Sequence, residues 1–170
     1  MPGAKDRLDS LRSLVDEYEG ALLRYVSRLM GSASYAEDVV QNTFLKFTRK
    51  WRKPFEVSPD ASRWLYRVAR NEALDHMRAE SRRRRLHAEH GGEAMAQPTM
   101  PSAAPSDKAR SASDALGRLS DRERELVVLK VYEEKSYKEI AEITGLSVGN
   151  VGYILHNAMR KLAAILGGDD

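Results

Sequence analysis

Apolar residues recur at intervals of three and four along the first thirty positions: Leu8, Leu11, Val15, Tyr18, Leu22, Tyr25 and Leu29. That spacing places one apolar stripe on a long helix, with Gly31 as its stop. Ser34 and Glu37 have the spacing of a capping box. It would open a second helix whose stripe is Val40, Phe44, Phe47 and Trp51. Pro54 and Pro59 predict a loop over 52–61. A third helix is predicted from about Ser62 into the arginine cluster at 82–85.

The second half follows the same period. Ser120 and Glu123 form one capping-box pattern, opening a helix through Leu126, Val127, Leu129, Val131 and Tyr132. Ser136 and Glu139 form another, and the short helix they open ends at Gly145, a left-handed C-cap by residue type. Ser147 then caps a last helix to about Leu166. No stretch alternates with period two for long enough to predict a sheet. The expected fold is all-α.

Between the halves, the stretch from Ala88 to Ser113 carries three prolines, two glycines and much Ala and Ser. Such a composition cannot bury enough apolar surface to offset its ordering entropy. The expected organisation is two small helical domains, 5–86 and 113–166, joined by a flexible linker over 87–112.

Composition narrows the chemistry. Of 170 residues none is cysteine, which removes disulfides, thiolate nucleophiles and cysteine-ligated metal. No apolar run approaches the ~20 residues of a membrane-spanning helix. The N-terminus passes directly into a charged amphipathic pattern, with no signal-peptide signature. These features fit a cytoplasmic protein. Glu72 with His76, and His87 with His90, have spacings that could seed a metal site, but neither pair has further ligands at a recognised spacing. No cofactor and no catalytic residue is expected.

Net charge is only +3, so its distribution matters more than its size. From Arg63 to Arg85 eight arginines face only Glu72, Asp75 and Glu80. At 100° per residue, Arg67, Asn71, Asp75, Arg78 and Arg82 form one line, an electrostatic footprint for phosphate. Phe55, Trp64 and Tyr66 lie near it in sequence and have rings that could stack on unpaired bases. In contrast, Ser120–Leu166 holds seven acidic and seven basic residues, a weak electrostatic attraction for DNA. The segment Tyr137–Leu155 nevertheless has the shape of a helix-turn-helix. Ala141 permits close approach, Gly145 turns the chain and Leu146 fills the corner. Val151, Ile154, Leu155, Ala158 and Leu162 share one face of the last helix, while Asn150, Tyr153, Asn157 and Arg160 share another. The second face suits base edges in a major groove, with Arg160 and Lys161 near phosphates.

Three segments together resemble the bacterial sigma-70 family. Ala36-Glu-Asp-Val-Val-Gln-Asn-Thr-Phe-Leu45 is similar to its polymerase-binding helix, and Trp64-Leu-Tyr-Arg-Val-Ala-Arg-Asn-Glu-Ala-Leu-Asp75 to its promoter-melting helix. Leu119–Leu162 resembles its C-terminal helix-turn-helix domain. Two such domains and a linker look like the small extracytoplasmic-function (ECF) group. The resemblance implies a region 2-like bundle and a region 4-like helix-turn-helix acting in transcription initiation. It implies docking on the clamp helices of the largest subunit of core RNA polymerase through Asp38, Gln41 and Phe44. Minus-10 promoter DNA would meet Phe55, Trp64, Arg67, Asn71, Asp75, Arg78 and Arg82, with Asn71 and Phe55 at the family's pocket for a flipped base. Minus-35 DNA would meet Ser147, Asn150, Tyr153, Asn157, Arg160 and Lys161. An anti-sigma partner is common in this group. Here the 52–61 loop departs from the commoner Phe-Xaa-Gly type, and Gly152 and Asn157 stand where basic residues are frequent.

Leu119–Leu126 and the helix-turn-helix after it also resemble regulators of the LuxR type. That alternative requires a receiver domain with alternating strands and helices before position 86. An enzyme and a helical adaptor without nucleic-acid contact are weaker rivals.

Overall fold

The computed structural model describes residues 3–90 and 106–168, and every regular element among them is helical. The N-terminal half contains α1 (Ala4–Met30), α2 (Ala36–Lys50) and α3 (Pro59–Glu89). The C-terminal half contains α4 (Asp107–Gly117), α5 (Asp121–Val127), α6 (Tyr137–Thr144) and α7 (Val148–Gly167). A π-helical turn, Val128–Tyr132, extends α5.

In the N-terminal half α1, α2 and α3 pack pairwise against one another. Tyr25, Val26 and Leu29 from α1, Val40 and Phe47 from α2, and Leu65, Ala69 and Ala73 from α3 are fully or almost fully buried. The small Ala69 and Ala73 let α3 approach its neighbours closely. The α1 stripe enters the core only from its middle onward. Leu14 and Val26 are buried where the period had pointed to Leu11 and Val15, and Leu8 is 57% exposed because the first turns of α1 extend past the bundle. Gly31 ends α1 in the left-handed conformation at φ 70°, as its residue type predicts.

The start of α2 differs from expectation. Ser34 does not cap it; Tyr35 holds the N-cap position at φ 68° and makes no side-chain cap hydrogen bond. A left-handed tyrosine costs of order 1–3 kcal/mol. Its ring lies 4.3 Å from the imidazole of His76 on α3, a contact that holds it there. The α3 start follows the rules of sequence: Ser58 accepts from the Ala61 N–H at 3.2 Å and Pro59 sits in the first turn. The helix begins three residues before the expected Ser62 and continues to Glu89, beyond the arginine cluster. It is about 46 Å long.

The capping boxes at Ser120–Glu123 and Ser136–Glu139 both form, Ser147 caps α7 and Gly145 is left-handed at φ 79°. Leu126, Val127, Leu129, Ile140, Ile143, Val151, Leu155 and Ala158 make the second core. The segment expected as a linker, 87–112, is helical at both described ends, through Glu89 and again from Asp107. Residues 91–105 lie outside the described residues.

The two halves touch. Helix α6 packs on α3, and the π-helical turn packs on α1.

Candidate nucleic-acid and polymerase interface

The line drawn on α3 exists as an open surface. Arg67, Asn71, Asp75, Arg78 and Arg82 are all exposed. Asp75 faces Arg78 at 3.5 Å, and the Asn71 carboxamide oxygen accepts from Arg70 Nη1 at 3.1 Å. Both bonds are solvent-accessible and yield easily to a ligand. Helical phase puts this line at the flank of α3 that neither the bundle core nor the C-terminal half covers.

Trp64 stands at the N-terminal end of the same line but is half-buried. Its ring is 5.3 Å from Phe47 and 6.1 Å from Trp51. Phe55 joins the cluster 5.5 Å from Phe47, with the Arg7 guanidinium 5.3 Å over its outer face. Phe47, fully buried, is the hub. The structure therefore places Phe55 and Trp64 in the packing that fixes the 51–58 loop. Only their outer edges face solvent, and Asn71 lies two turns along the helix from Trp64, about 10 Å away in rise.

Asp38 and Gln41 project from the first turns of α2 into an open groove of about 440 Å³, lined also by Val39, Asn42, Glu72, Asp75 and His76. The groove is acidic, with Glu72 partly neutralised by an ion pair to Lys46. Phe44 is half-buried against the core and contributes only part of its ring to the surface. Tyr35, which no periodicity argument singled out, sets where α2 starts and so where Asp38 and Gln41 point. Its left-handed conformation has no sequence signature, since the residue is not glycine.

On the C-terminal half, Ser147, Asn150, Tyr153 and Arg160 are exposed, Tyr153 at 70%. Asn157 is half-buried. The Ser147 hydroxyl is occupied as the α7 cap, accepting from the Asn150 N–H at 3.2 Å. Lys161 pairs with Glu123 at 2.7 Å, and Glu123 is the residue that closes the α5 capping box. That lysine, expected at phosphate, holds α7 to the start of α5. It is also the main reason the Glu123 carboxyl is held below its ordinary pKa, ahead of the hydrogen bond at the α5 cap. Gly152 packs against the ring of Tyr137, where an added Cβ would sit 3.4 Å from the ring, so a larger residue there crowds the two helices of the motif.

The comparisons agree with this geometry. Residues 14–83 match the family described as Sigma-70 region 2, and residues 109–162 match Sigma-70, region 4. The ECF RNA polymerase sigma factor SigL of Mycobacterium tuberculosis H37Rv is 35% identical over 166 residues, covering 92% of this chain and 88% of SigL. The RNA polymerase sigma factor CarQ of Myxococcus xanthus is 32% identical over 163 residues, covering 94% and 90%. Among solved structures, the sigma factor RpoE of Bartonella quintana, crystallised with the anti-sigma factor NepR, superposes with a TM-score of 0.73 at 26% identity, covering 94% of this chain and 98% of RpoE. CnrH in complex with the cytosolic domain of CnrY gives 0.67 at 27% identity, covering 94% and 89%.

The chain belongs to the sigma-70 family of RNA polymerase sigma factors. Within that family it falls in the ECF group, whose two-domain plan it shares. It is accordingly a factor that directs polymerase to promoters, and the all-α, two-domain expectation holds. The LuxR-type alternative fails, because residues 3–90 are three helices with no strand among the described residues. Sigma factors are initiation factors and not enzymes. No described helix is long and apolar enough to cross a membrane.

Proposed function

We propose a division of labour within this sigma factor. Residues 5–86 grip core polymerase and the opened minus-10 element, and residues 113–166 read the minus-35 element as duplex. The exposed line Arg67–Asn71–Asp75–Arg78–Arg82 carries the reading, because it is long, basic at its C-terminal end and uncovered. Its amide and guanidinium groups suit an unpaired strand, and trapping an extruded base offsets the few kcal/mol that unstacking costs. Promoter opening then draws on binding energy alone, and the chain catalyses no reaction.

Asp38 and Gln41, at the rim of an acidic groove, are the contacts for the clamp helices of the polymerase largest subunit. Phe44 supports them from below. Asn150, Tyr153, Asn157 and Arg160 enter the major groove. Ser147 and Lys161 act mainly by fixing α7, and the outer edges of Phe55 and Trp64 form one wall of the base pocket. The solved relatives were crystallised with anti-sigma proteins. An anti-sigma protein is therefore the expected regulator of this chain, acting in the cytoplasm where polymerase and promoter meet.

The test is run-off transcription with core polymerase on a pooled promoter library, with and without the chain. Transcripts from a discrete promoter set that depend on the chain support the reading. Equal transcription in both arms sinks it.

A further inference from the structure

The contacts between the halves have one chemical theme. Three glutamates of the C-terminal half meet a basic face of the N-terminal half. Glu125 is buried and pairs with Arg70 of α3, with Arg122 of its own half 3.8 Å away. Glu142 on α6 pairs with Arg63 at 2.7 Å. Glu133 accepts from the Tyr66 hydroxyl at 2.7 Å and lies 3.9 Å from Arg28 of α1. Two cation–aromatic contacts close the rim: Arg28 over Tyr132 at 4.2 Å and Lys135 over Tyr66 at 4.4 Å.

Burial of Glu125 is informative. A carboxylate with 3% of its side chain exposed is costly unless paired, and its strongest partner comes from the other half of the chain. Residues 55 positions apart in sequence supply the two charges. This pairing sets register between the halves in a way that a generic apolar contact does not.

The docked form cannot read a promoter. The minus-10 and minus-35 elements are about 25 base pairs apart, which is about 85 Å of duplex. Halves joined directly by an Arg70–Glu125 ion pair cannot occupy both. Docking also obstructs the helix-turn-helix. Lys135, Ser136 and Lys138, at the start of its first helix, line a cleft of about 630 Å³ whose other wall is Tyr18, Pro59 and Arg63. In this motif the first helix crosses the DNA backbone, so the cleft faces where duplex would lie.

We propose that the face formed by Arg28, Arg63, Tyr66 and Arg70 is an intramolecular docking surface for the acidic face of this chain's own C-terminal domain, and that undocking precedes promoter reading. The occupant is fixed by charge complementarity: Glu125, Glu133 and Glu142 meet that face while Asn150, Tyr153 and Arg160 stay exposed. The consequence for promoters rests on the sigma-factor reading above; the docking itself does not. Because the binding-competent form is then a fraction of the population, apparent affinity for core polymerase and promoter falls by that fraction.

The experiment uses the full chain. Since it has no cysteine, Glu19→Cys and Ala163→Cys introduce two exposed attachment points for spin labels, one on each half. Dipolar distance measurement should give one narrow distribution for the otherwise native chain. Arg70→Glu and Glu125→Arg should each broaden and lengthen it, and the double exchange Arg70→Glu/Glu125→Arg should restore the narrow form. In run-off transcription Glu125→Arg should reach half-maximal output at about one-tenth of the native concentration, and the double exchange should return it toward native. A broad distribution in the native chain, or no restoration by the double exchange, overturns the docking. If the distances respond as expected but neither protein supports transcription, docking stands and the sigma-factor reading falls. If transcription proceeds and Glu125→Arg needs the same concentration as native, the proposed requirement for undocking is wrong.

Discussion

Replacing Phe47 with alanine tests the aromatic cluster that positions the candidate minus-10 surface. The ring is fully buried and lies within 5.5 Å of three other rings, those of Trp51, Phe55 and Trp64. Removing it costs transfer free energy and leaves a cavity that three rigid aromatic neighbours cannot collapse into. The expected loss is about 3–5 kcal/mol. For a domain of this size each kcal/mol lowers Tm by about 4–8 °C, so the N-terminal transition should fall by at least about 12 °C. The assay is built in, because the chain has two tryptophans and both belong to this cluster. Tryptophan fluorescence therefore follows the N-terminal half alone, while far-UV circular dichroism follows both halves. In Phe47→Ala the fluorescence transition should move down and the dichroism transition should split, its later part reporting α4–α7. A fluorescence shift of only a few degrees would show that Phe47 is not the hub, and the account of Phe55 and Trp64 as packing residues would fall with it.

The other predictions concern function and pH. Asn71→Ala should impair promoter opening about 5- to 150-fold, the range expected for losing one base contact of 1–3 kcal/mol, with little effect on polymerase affinity; permanganate footprints equal to native would contradict this. Asp38→Arg reverses a charge at the rim of the acidic groove and should weaken association with core polymerase at least about tenfold, and an unchanged pull-down would remove that surface from consideration. Arg160→Ala should weaken binding to a cognate upstream duplex more than to random DNA, whereas equal loss on both would assign it to phosphate. Burial, and then the hydrogen bond to Glu133, raise the Tyr66 hydroxyl well above its ordinary pKa. Its stabilising contribution is therefore intact below about pH 10 and lost as the pH rises beyond that. Thermal midpoints should drop from pH 9 to pH 11, less steeply in Tyr66→Phe, and identical slopes for the two proteins would refute the assignment.

What the sequence made legible was local. Capping boxes at Ser120 and Ser136, the glycine stops at 31 and 145 and the apolar face of α7 are each set by a few neighbouring residues. The same logic failed at Ser34, because the contact between Tyr35 and His76 from another helix overrode the local cap. Leu8 fits the helical period as well as Leu22 does, yet only Leu22 has a bundle beside it. For the site, the exposed line on α3 followed from phase alone. That Phe55 and Trp64 face inward, and that Lys161 is committed to Glu123, depended on residues distant in sequence. The Arg70–Glu125 pair had no signature either: a glutamate in a capping-rich segment and an arginine in an arginine-rich helix look ordinary until the fold brings them together.

The π-helical turn at Val128–Tyr132 carries one residue more than an α-helix would need to cover the same rise. That surplus residue turns the following side chains by about 100° relative to the α-helical phase. Leu126 and Leu129 can then serve their own core while Glu133 looks toward Tyr66. Loss of a single codon in this segment would return Tyr132 and Glu133 to the regular phase and aim them elsewhere. The two halves of the molecule are thus one in-frame deletion away from independence, a short evolutionary step between a self-restraining factor and an unrestrained one.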